Sequence, residues 1–425
     1  MKRTDDTARA DRASEPLAMR AANFLGEAID AVDTLTRRYD DGPRASCAAG
    51  DGTRAPSRLV EKRAAKKRER HAKTKVAFLR YGYYDIGFEF FVKHVLDAEF
   101  VDLGESTKRT LELGAAASND FVCAPFKHIL GDYIEALEAG ADVLVQFTGP
   151  CRLGYYGELQ ESILRDMGYE FEMLNFAEVA GKPLKDYIAV CKKKINPDLS
   201  VPQGVAGMLT AFKMIECLDA YNDRYLAVAG FDDEPGASRE ARERFFAAMR
   251  SCKTRRDVED AFDRGVAELE AIARHKPADA LRIGIVGEYF TAVDPRSNLD
   301  LERKLLSMGV ELARMINVTN RNIHYNEPEL RRSVSEYATY DMGPTSTLTI
   351  AAAKRYADEG FDGIVHVKSS GCTPEIDCMP VLQRISRDKH IPILFLSYDS
   401  QTSDTGLDTR IEAFYDMIAM RKASR

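Results

Sequence analysis

The chain has 425 residues, of which 45% are hydrophobic and 30% are charged, which is typical of a globular protein with a large core. Its formal net charge of −7 argues against general nucleic-acid binding, which usually requires a basic balance. The sequence has no apolar run of about 18 residues, and MKRTDDTARADRAS lacks the apolar segment of a signal peptide. We therefore expect a cytoplasmic protein that binds neither membranes nor nucleic acid.

Residues 1–74 are polar and end in the basic segment VEKRAAKKRERHAKTK. This composition predicts a disordered tail, although the basic segment would also suit contact with an acidic partner. From Lys75 onward, strand and helix patterns alternate, beginning with KVAFLRYGYYD and the amphipathic GFEFFVKHVLD. Residues 75–177 are therefore predicted to form an α/β domain.

The segment DLGESTK within this domain is similar to a phosphate-binding loop of sugar-kinase-type ATPases. Glu105 intrudes between its glycine and its serine, and a carboxylate there would repel a phosphate. We expect no ATP site here, and Thr107 to begin an ordinary helix.

Residues 178–280 carry helical spacing, with only a weak strand signal in LAVAGF, and predict a helical subdomain. Residues 281–425 return to strand and helix patterns. LRIGIVGEYFT is a predicted strand, residues 299–318 a helix, IPILFLSYDS the last strand and TRIEAFYDMIAMRK the closing helix. The predicted fold class is α/β, with two Rossmann-like doubly wound domains on either side of the helical subdomain.

Cysteines recur near the predicted corners of these domains. In FDGIVHVKSSGCTPEIDCMP, an apolar strand is followed by a break at Gly371, then Cys372, then a proline that suits the first turn of a helix. Cys151 has the same setting after ADVLVQFTGP, and Cys123 follows a short apolar run and precedes Pro125. In a parallel sheet such corners lie at the carboxyl edge, where ligands bind.

Each of these cysteines, taken alone, would suit a buried apolar position. Three in similar settings favour metal ligands, and the absence of C-x2-C pairs and of a C-x2-C-x2-C run argues against zinc fingers and ferredoxin-type clusters. The remaining hypothesis is an iron–sulfur cluster whose ligands come from distant loops. The other cysteines without a motif are interpreted as packing or surface residues: Cys47, Cys191, Cys217 and Cys252.

Several motifs of the folded part, from about residue 75 to residue 422, carry a family resemblance: KVAFLRYGYYDIGFEFF, CAPFKHILGDYIEALEAGAD, GPCRLGYYGELQ, VGEYFTAVDPRSNLDLERKL, GCTPEIDCMP and SYDSQTSDTGLDTRIEAF. The chain resembles the CoA-enzyme-activase-associated family, which is related to the cluster-bearing subunits of 2-hydroxyacyl-CoA dehydratases and benzoyl-CoA reductases. The resemblance implies a [4Fe-4S] cluster held by Cys123, Cys151 and Cys372.

The resemblance also implies a reaction and partners. A separate ASKHA-type activator ATPase would deliver a low-potential electron, and reduction of a CoA thioester to a ketyl radical would let an unactivated hydroxyl leave. Related dehydratases work as paired subunits, so a homo- or hetero-dimer is expected. Arg152 and Lys127 lie beside the cysteines and are candidates for tuning the cluster, although each would also suit a surface or ion-pair position.

The role of Cys378 is open. A turn in TPEIDCMP would bring it to the cluster beside Cys372, as a fourth ligand typical of an electron carrier. If the segment is helical, six residues rotate the side chain by about 600° and move it about 9 Å along the axis, to a different face. His128 and His366 are interpreted as structural, and Tyr156 as a packing residue. Residues after the last strand, including Tyr398 and Asp399, are candidates for lining a cleft.

Three function classes follow. The first is a dehydratase- or reductase-like enzyme acting on a CoA-thioester-type substrate, and the second is a cluster-bearing electron-transfer or accessory protein without its own substrate. The third, a nucleotide-binding oxidoreductase, is disfavoured because no G-x-G-x-x-G follows the strands that begin near Lys75 and Arg282.

Overall fold

The computed structural model describes residues 74–146, 156–176, 183–340 and 342–424. The predicted tail up to residue 73 lies outside these ranges, as does the segment 147–155, which carries Cys151 and Arg152. The described chain contains two parallel four-stranded sheets surrounded by helices, which confirms the predicted α/β class. None of the helices in these ranges combines the length and apolar character needed to span a bilayer.

The first sheet has the strand order β2-β1-β3-β4. Its strands are β1 Lys75–Phe78, β2 Glu99–Phe100, β3 Val143–Gln146 and β4 Glu172–Asn175, and every pair is parallel. The connecting helices are α1 Asp85–Phe90, which a π-helical turn continues to Val95, α2 Lys108–Ala116, α3 Ala124–Glu138 and α4 Tyr156–Asp166. The chain order reverses between β1 and β3, so a ligand-binding crevice is expected at the carboxyl ends of these strands.

Two glycines let α2 and α3 pack with their backbones in contact. A Cβ atom on Gly114 would lie 1.7 Å from the carbonyl oxygen of Lys127, and one on Gly131 would lie 1.9 Å from that of Thr110. Any side chain at either position would push the two helices apart. The position of α3 therefore depends on these glycines.

Residues after the first sheet form the helices α5 Leu184–Lys194, α6 Val201–Val228, α7 Ala237–Ser251 and α8 Arg255–Ala271. The weak strand signal of LAVAGF is wrong, because α6 continues through it into a short 3-10 turn and Leu226 is buried on the helix. Asp219 of α6 accepts hydrogen bonds from the Tyr84 hydroxyl at 2.5 Å and from the Thr319 backbone N–H at 2.9 Å. The long helix thus connects the two halves of the chain.

The second sheet has the corresponding order β6-β5-β7-β8 and is also parallel. Its strands are β5 Arg282–Gly287, β6 Glu311–Arg314, β7 Gly363–Ser369 and β8 Ile393–Tyr398. Its helices are α9 Tyr289–Val293, α10 Leu301–Leu306, α11 Glu327–Ser333, α12 Gly343–Asp358, α13 Thr373–Asp388 and α14 Asp404–Ala423.

The prediction of one continuous helix over residues 299–318 is wrong. The helix ends after Leu306, and Gly309 takes a left-handed conformation with φ +72° before β6 begins. Glycine adopts this conformation without strain, which makes it a common helix terminator. The apolar spacing across Gly309 therefore belongs to a short helix followed by an edge strand.

The carboxyl ends of the two sheets face each other. The hydroxyl of Tyr81, just after β1, donates a 2.9 Å hydrogen bond to the carbonyl oxygen of Tyr289, just after β5. Gly82, with φ +56°, lies beside Val293, whose carbonyl oxygen would be 3.3 Å from a Cβ atom at that position. The loops that follow equivalent strands therefore contact each other across one interface.

Candidate functional site

Cys372 lies at the predicted strand-to-helix corner. β7 ends at Ser369, Cys372 is the N-cap of α13, and Pro374 occupies the first turn of that helix. The backbone N–H of Cys372 donates to the carbonyl oxygen of Ser369 at 3.0 Å. The thiol therefore sits beside the free N–H groups of a 16-residue helix, which favour negative charge.

Cys123 is likewise an N-cap, at the start of α3, but its apolar run is not a strand. A turn stabilised by the Asn119 side chain, which accepts from the Phe121 N–H at 2.9 Å, separates α2 from Cys123. Three or four apolar residues are too short a pattern to distinguish a strand from such a turn. The helix start that Pro125 indicates is present.

The structure brings these two cysteines together from different sheets. The backbone N–H of Ala124 donates to the Ser369 hydroxyl at 2.9 Å in a buried hydrogen bond. A Cβ atom at Gly371 would lie 3.6 Å from the carbonyl oxygen of Phe121. The start of α3 therefore packs directly on the corner that carries Cys372, whereas Cys151 lies outside the described residues.

The environment of the Cys372 thiol favours its protonated form. Burial raises its pKa, and the Glu288 and Glu375 carboxylates act in the same direction, against the backbone N–H of Glu375. A thiolate in such surroundings needs a cation to replace its proton. Cys372 is therefore poorly suited to act as a free nucleophile.

Tyr156 does more than the predicted packing. Its ring packs edge-on against Phe126, with centroids 4.7 Å apart, and its hydroxyl lies 2.7 Å from the Cys123 sulfur. The first residue of α4 thus faces the start of α3. No local pattern in the sequence indicated this contact, because it depends on how the two helices pack.

Two buried lysines lie at the same interface. Lys127 and Lys368 are only 6% and 5% exposed, and neither forms an ion pair with a described carboxylate. The Lys127 ammonium donates to the Asp120 carbonyl oxygen at 3.2 Å, and the Lys368 ammonium donates to that of Ser370 at 3.4 Å. Buried cations are costly without a counter-charge, so this interface is suited to an anionic group. Lys368 was missed, although a cation in an apolar strand was the available signal.

The loop after β8 reaches this interface as well. The Ser370 hydroxyl donates to Asp399 at 3.2 Å, and the Asp399 N–H donates to the Thr402 hydroxyl at 2.8 Å. The backbone N–H of Gln401 lowers the pKa of Asp399, and Lys127 contributes to this shift. Tyr398 is buried, whereas Ser403 is the N-cap of α14. Asp399 therefore interacts electrostatically with Lys127.

Cys378 occupies a different environment. It is fully buried on α13, which is a continuous helix through Pro380. Because the segment is helical, Cys378 lies on a different face from Cys372. Its sulfur lies 3.3 Å from Glu375 Oε2 and 4.0 Å from His366 Nε2. The interpretation of His366 as an isolated structural group missed this cluster.

His128 and the cysteines without a motif have mainly packing environments where the structure describes them. Burial lowers the pKa of His128 to about 4, and its ring lies 6.1 Å from that of Phe290. Cys191 and Cys217 are buried, and burial raises their pKa values to about 12 and about 11. Cys252 is also buried, and Cys47 lies outside the described residues.

One acidic residue between the sheets provides a test of this buried environment. Asp294 follows α9, is 4% exposed, and accepts the Ser297 N–H at 2.7 Å. Burial raises its pKa to about 7. Because an unfolded aspartate has a pKa of about 3.9, the folded protein binds the extra proton between these values, and stability falls as pH rises through this window.

We therefore expect Asp294→Asn, which keeps an acceptor for Ser297, to flatten the pH dependence of stability. The wild-type free energy of unfolding should fall relative to that of the variant by on the order of 1 kcal/mol per pH unit between about pH 4 and pH 7. Urea unfolding at several pH values measures this difference. The exposed Asp279→Asn is the control, and parallel pH profiles for Asp294→Asn and wild type would contradict the expectation.

Comparison with curated proteins finds no match for the chain. Comparison with protein families gives a match over residues 242–418, a region that includes Cys372 and the whole second sheet but neither Cys123 nor Cys151. The matching family model is described as 2-hydroxyglutaryl-CoA dehydratase, D-component, and it confirms, over these residues, the predicted relation to subunits of 2-hydroxyacyl-CoA dehydratases.

Proposed function

We propose that the chain is a dehydratase-related component that holds a [4Fe-4S] cluster through Cys123, Cys151 and Cys372. It would take low-potential electrons from a separate ASKHA-type activator ATPase, for radical reduction or dehydration of a CoA-thioester-type substrate. The observation that carries this proposal is the meeting of Cys123 and Cys372 at one interface, where Ala124 is hydrogen-bonded to Ser369. The family match over the second sheet supports it.

The described residues fit such a group. Cys123 and Cys372 are both N-caps of long helices, whose free N–H groups and partial positive charge favour a bound anion. Lys127 and Lys368 add two buried side chains that form no ion pair within 4 Å with a described carboxylate, although Asp399 interacts with Lys127 at longer range. A thiolate-ligated cluster is an anion, so it would compensate charges that are otherwise costly to bury.

When bound, such a cluster supplies single electrons at low potential. The protein's residues would orient its ligands and adjust that potential. The Tyr156 hydroxyl is placed to donate to the Cys123 sulfur, and Lys127 and Lys368 offset added negative charge. Both effects stabilise the reduced form and so raise the potential.

Anaerobic purification and reconstitution of the full chain test the proposal. We expect about four iron and four acid-labile sulfide per chain, the content of one [4Fe-4S] cluster. Addition of an activator ATPase, ATP and a reductant should then produce the EPR signal of the reduced cluster, and omission of ATP should prevent it. A colourless, iron-free protein would contradict the cluster.

The same preparation separates the enzyme from the accessory protein. A cluster that is present but shows no activator-dependent reduction would favour the second class, an electron-transfer or accessory protein. ATP binding by the isolated chain, measured by calorimetry, would contradict the requirement for a separate ATPase.

A further inference from the structure

A second group of metal-ligand side chains lies inside the second domain. His366 projects from β7, whereas Glu375 and Cys378 lie one turn apart on α13, and all three are completely buried. One ligand atom from each lies within 4.8 Å of the other two. His366 Nε2 is 2.8 Å from Glu375 Oε2, which in turn is 3.3 Å from the Cys378 sulfur.

These separations suit a single small cation. Zinc binds nitrogen and oxygen at about 2.0–2.2 Å and sulfur at about 2.3 Å, so a tetrahedral ion holds its ligand atoms roughly 3.2–3.7 Å apart. The observed separations of 2.8, 3.3 and 4.0 Å scatter around this range. We propose that His366 Nε2, Glu375 Oε2 and Cys378 Sγ bind one Zn²⁺ ion, separate from the site of Cys123 and Cys372.

The charge balance supports a cation. Glu375 is 0% exposed, and among the described residues no lysine or arginine forms an ion pair with it; the basic side chain beside it is the His366 imidazole. Burying a carboxylate is costly unless a positive charge or a metal compensates it. A divalent ion would compensate both this carboxylate and the Cys378 thiolate, whose proton it displaces.

Neighbouring residues hold the three ligands in place. The Thr349 hydroxyl lies 3.0 Å from Glu375 Oε1 and donates to it, which leaves Oε2 facing His366 and Cys378. The Phe395 ring packs edge-on against His366 at 5.3 Å. Because His366 Nδ1 has no hydrogen-bond partner in the described chain, Nε2 is the polar anchor of the ring. A hydrogen bond to a ligating carboxylate, such as that from Thr349 to Glu375, is usual around protein metal sites.

The ligand chemistry selects the ion. Thiolate and imidazole favour zinc over magnesium or calcium, which prefer oxygen ligands. These three residues fill three of the four coordination positions of a tetrahedral zinc ion, and another ligand would fill the fourth. The ion would tie β7 to α13 on either side of Cys372 and so hold that corner in place. Cys378 would then be a zinc ligand and not a ligand of the iron–sulfur cluster. The zinc site does not depend on the proposed function.

Metal analysis of the full chain tests the inference. We expect one zinc per chain in addition to any iron, and one cobalt after exchange, with a thiolate-to-cobalt absorption band. Cys378→Ser should lose the band and the zinc but keep the iron. Cys191→Ser, another fully buried cysteine, should keep all three.

A milder pair of variants guards against loss of folding. Thr349→Val removes the hydrogen bond to Glu375 and should weaken zinc binding about 10- to 100-fold in a chelator competition. Thr347→Val is the matched control, since that hydroxyl donates to the Gly343 carbonyl oxygen of its own helix. Unchanged zinc affinity in Thr349→Val together with full zinc in Cys378→Ser would overturn the inference. Iron loss in Cys378→Ser would also overturn it, by placing Cys378 on the cluster.

Discussion

Replacing Cys372 by alanine should reduce the iron of the anaerobically reconstituted protein from about four to less than about one per chain. In the proposed function, Cys372 would be the ligand that the second sheet contributes at the interface with α3, and alanine leaves no atom there that can bind iron. The side chain is small and lies at a helix start, so we expect little loss of stability. Iron and sulfide analysis and the EPR spectrum after reduction measure the effect.

Two further cysteine variants make this result specific. Cys217→Ala, in the helical part of the chain, controls for the loss of a buried thiol and should retain the cluster. Cys378→Ala should also retain its iron. Equal iron loss in Cys378→Ala and Cys372→Ala would make Cys378 a fourth ligand and move the function toward electron transfer. A full cluster in Cys372→Ala would refute the ligand role of Cys372.

Gly114→Ala should destabilise the fold by about 3 kcal/mol or more. The new methyl group would lie 1.7 Å from the Lys127 carbonyl oxygen and 2.7 Å from the carbonyl carbon. These are backbone atoms in the first turn of α3, so the clash is relieved only when α2 and α3 move apart. The helical preference of alanine, worth up to about 1 kcal/mol, offsets only part of this cost. The urea midpoint of unfolding measures the loss.

Gly406→Ala is the matched control for this prediction. Gly406 lies in the first turn of α14, and a Cβ atom there would meet nothing within 4 Å. The free energy of unfolding of that variant should equal the wild-type value or exceed it by up to about 1 kcal/mol. Because α3 carries Cys123 and Lys127, Gly114→Ala should also lower the iron content, which the control should not do. Equal urea midpoints for the two variants would refute the close helix contact.

The sequence predicted the features that local patterns encode. Strand formers, then Gly371, then Pro374 define the corner of Cys372 through the conformations that each residue type adopts. The helix predicted over residues 299–318 failed because its apolar spacing suits both a helix and a short strand, and Gly309 was not recognised as a helix end.

Contacts between distant segments could not be predicted in the same way. The hydrogen bond between Ala124 and Ser369, and that between Thr349 and Glu375, depend on how helices and sheets pack rather than on any local pattern. Lys368 combines a predictable and an unpredictable feature. Its burial follows from the buried strand in which it occurs, whereas its position at the interface depends on packing.

The hydrogen bond between Ala124 and Ser369 also concerns the order of events during synthesis. It joins residues that are 245 positions apart, so Cys123 leaves the ribosome long before the strand that carries Ser369 has been made. This contact links the start of α3 to the end of β7, so it can form only after both segments have been synthesised. We therefore expect a cluster to be inserted only into the completed chain, and the early thiols to stay open to oxidation until the last quarter of the protein has been translated.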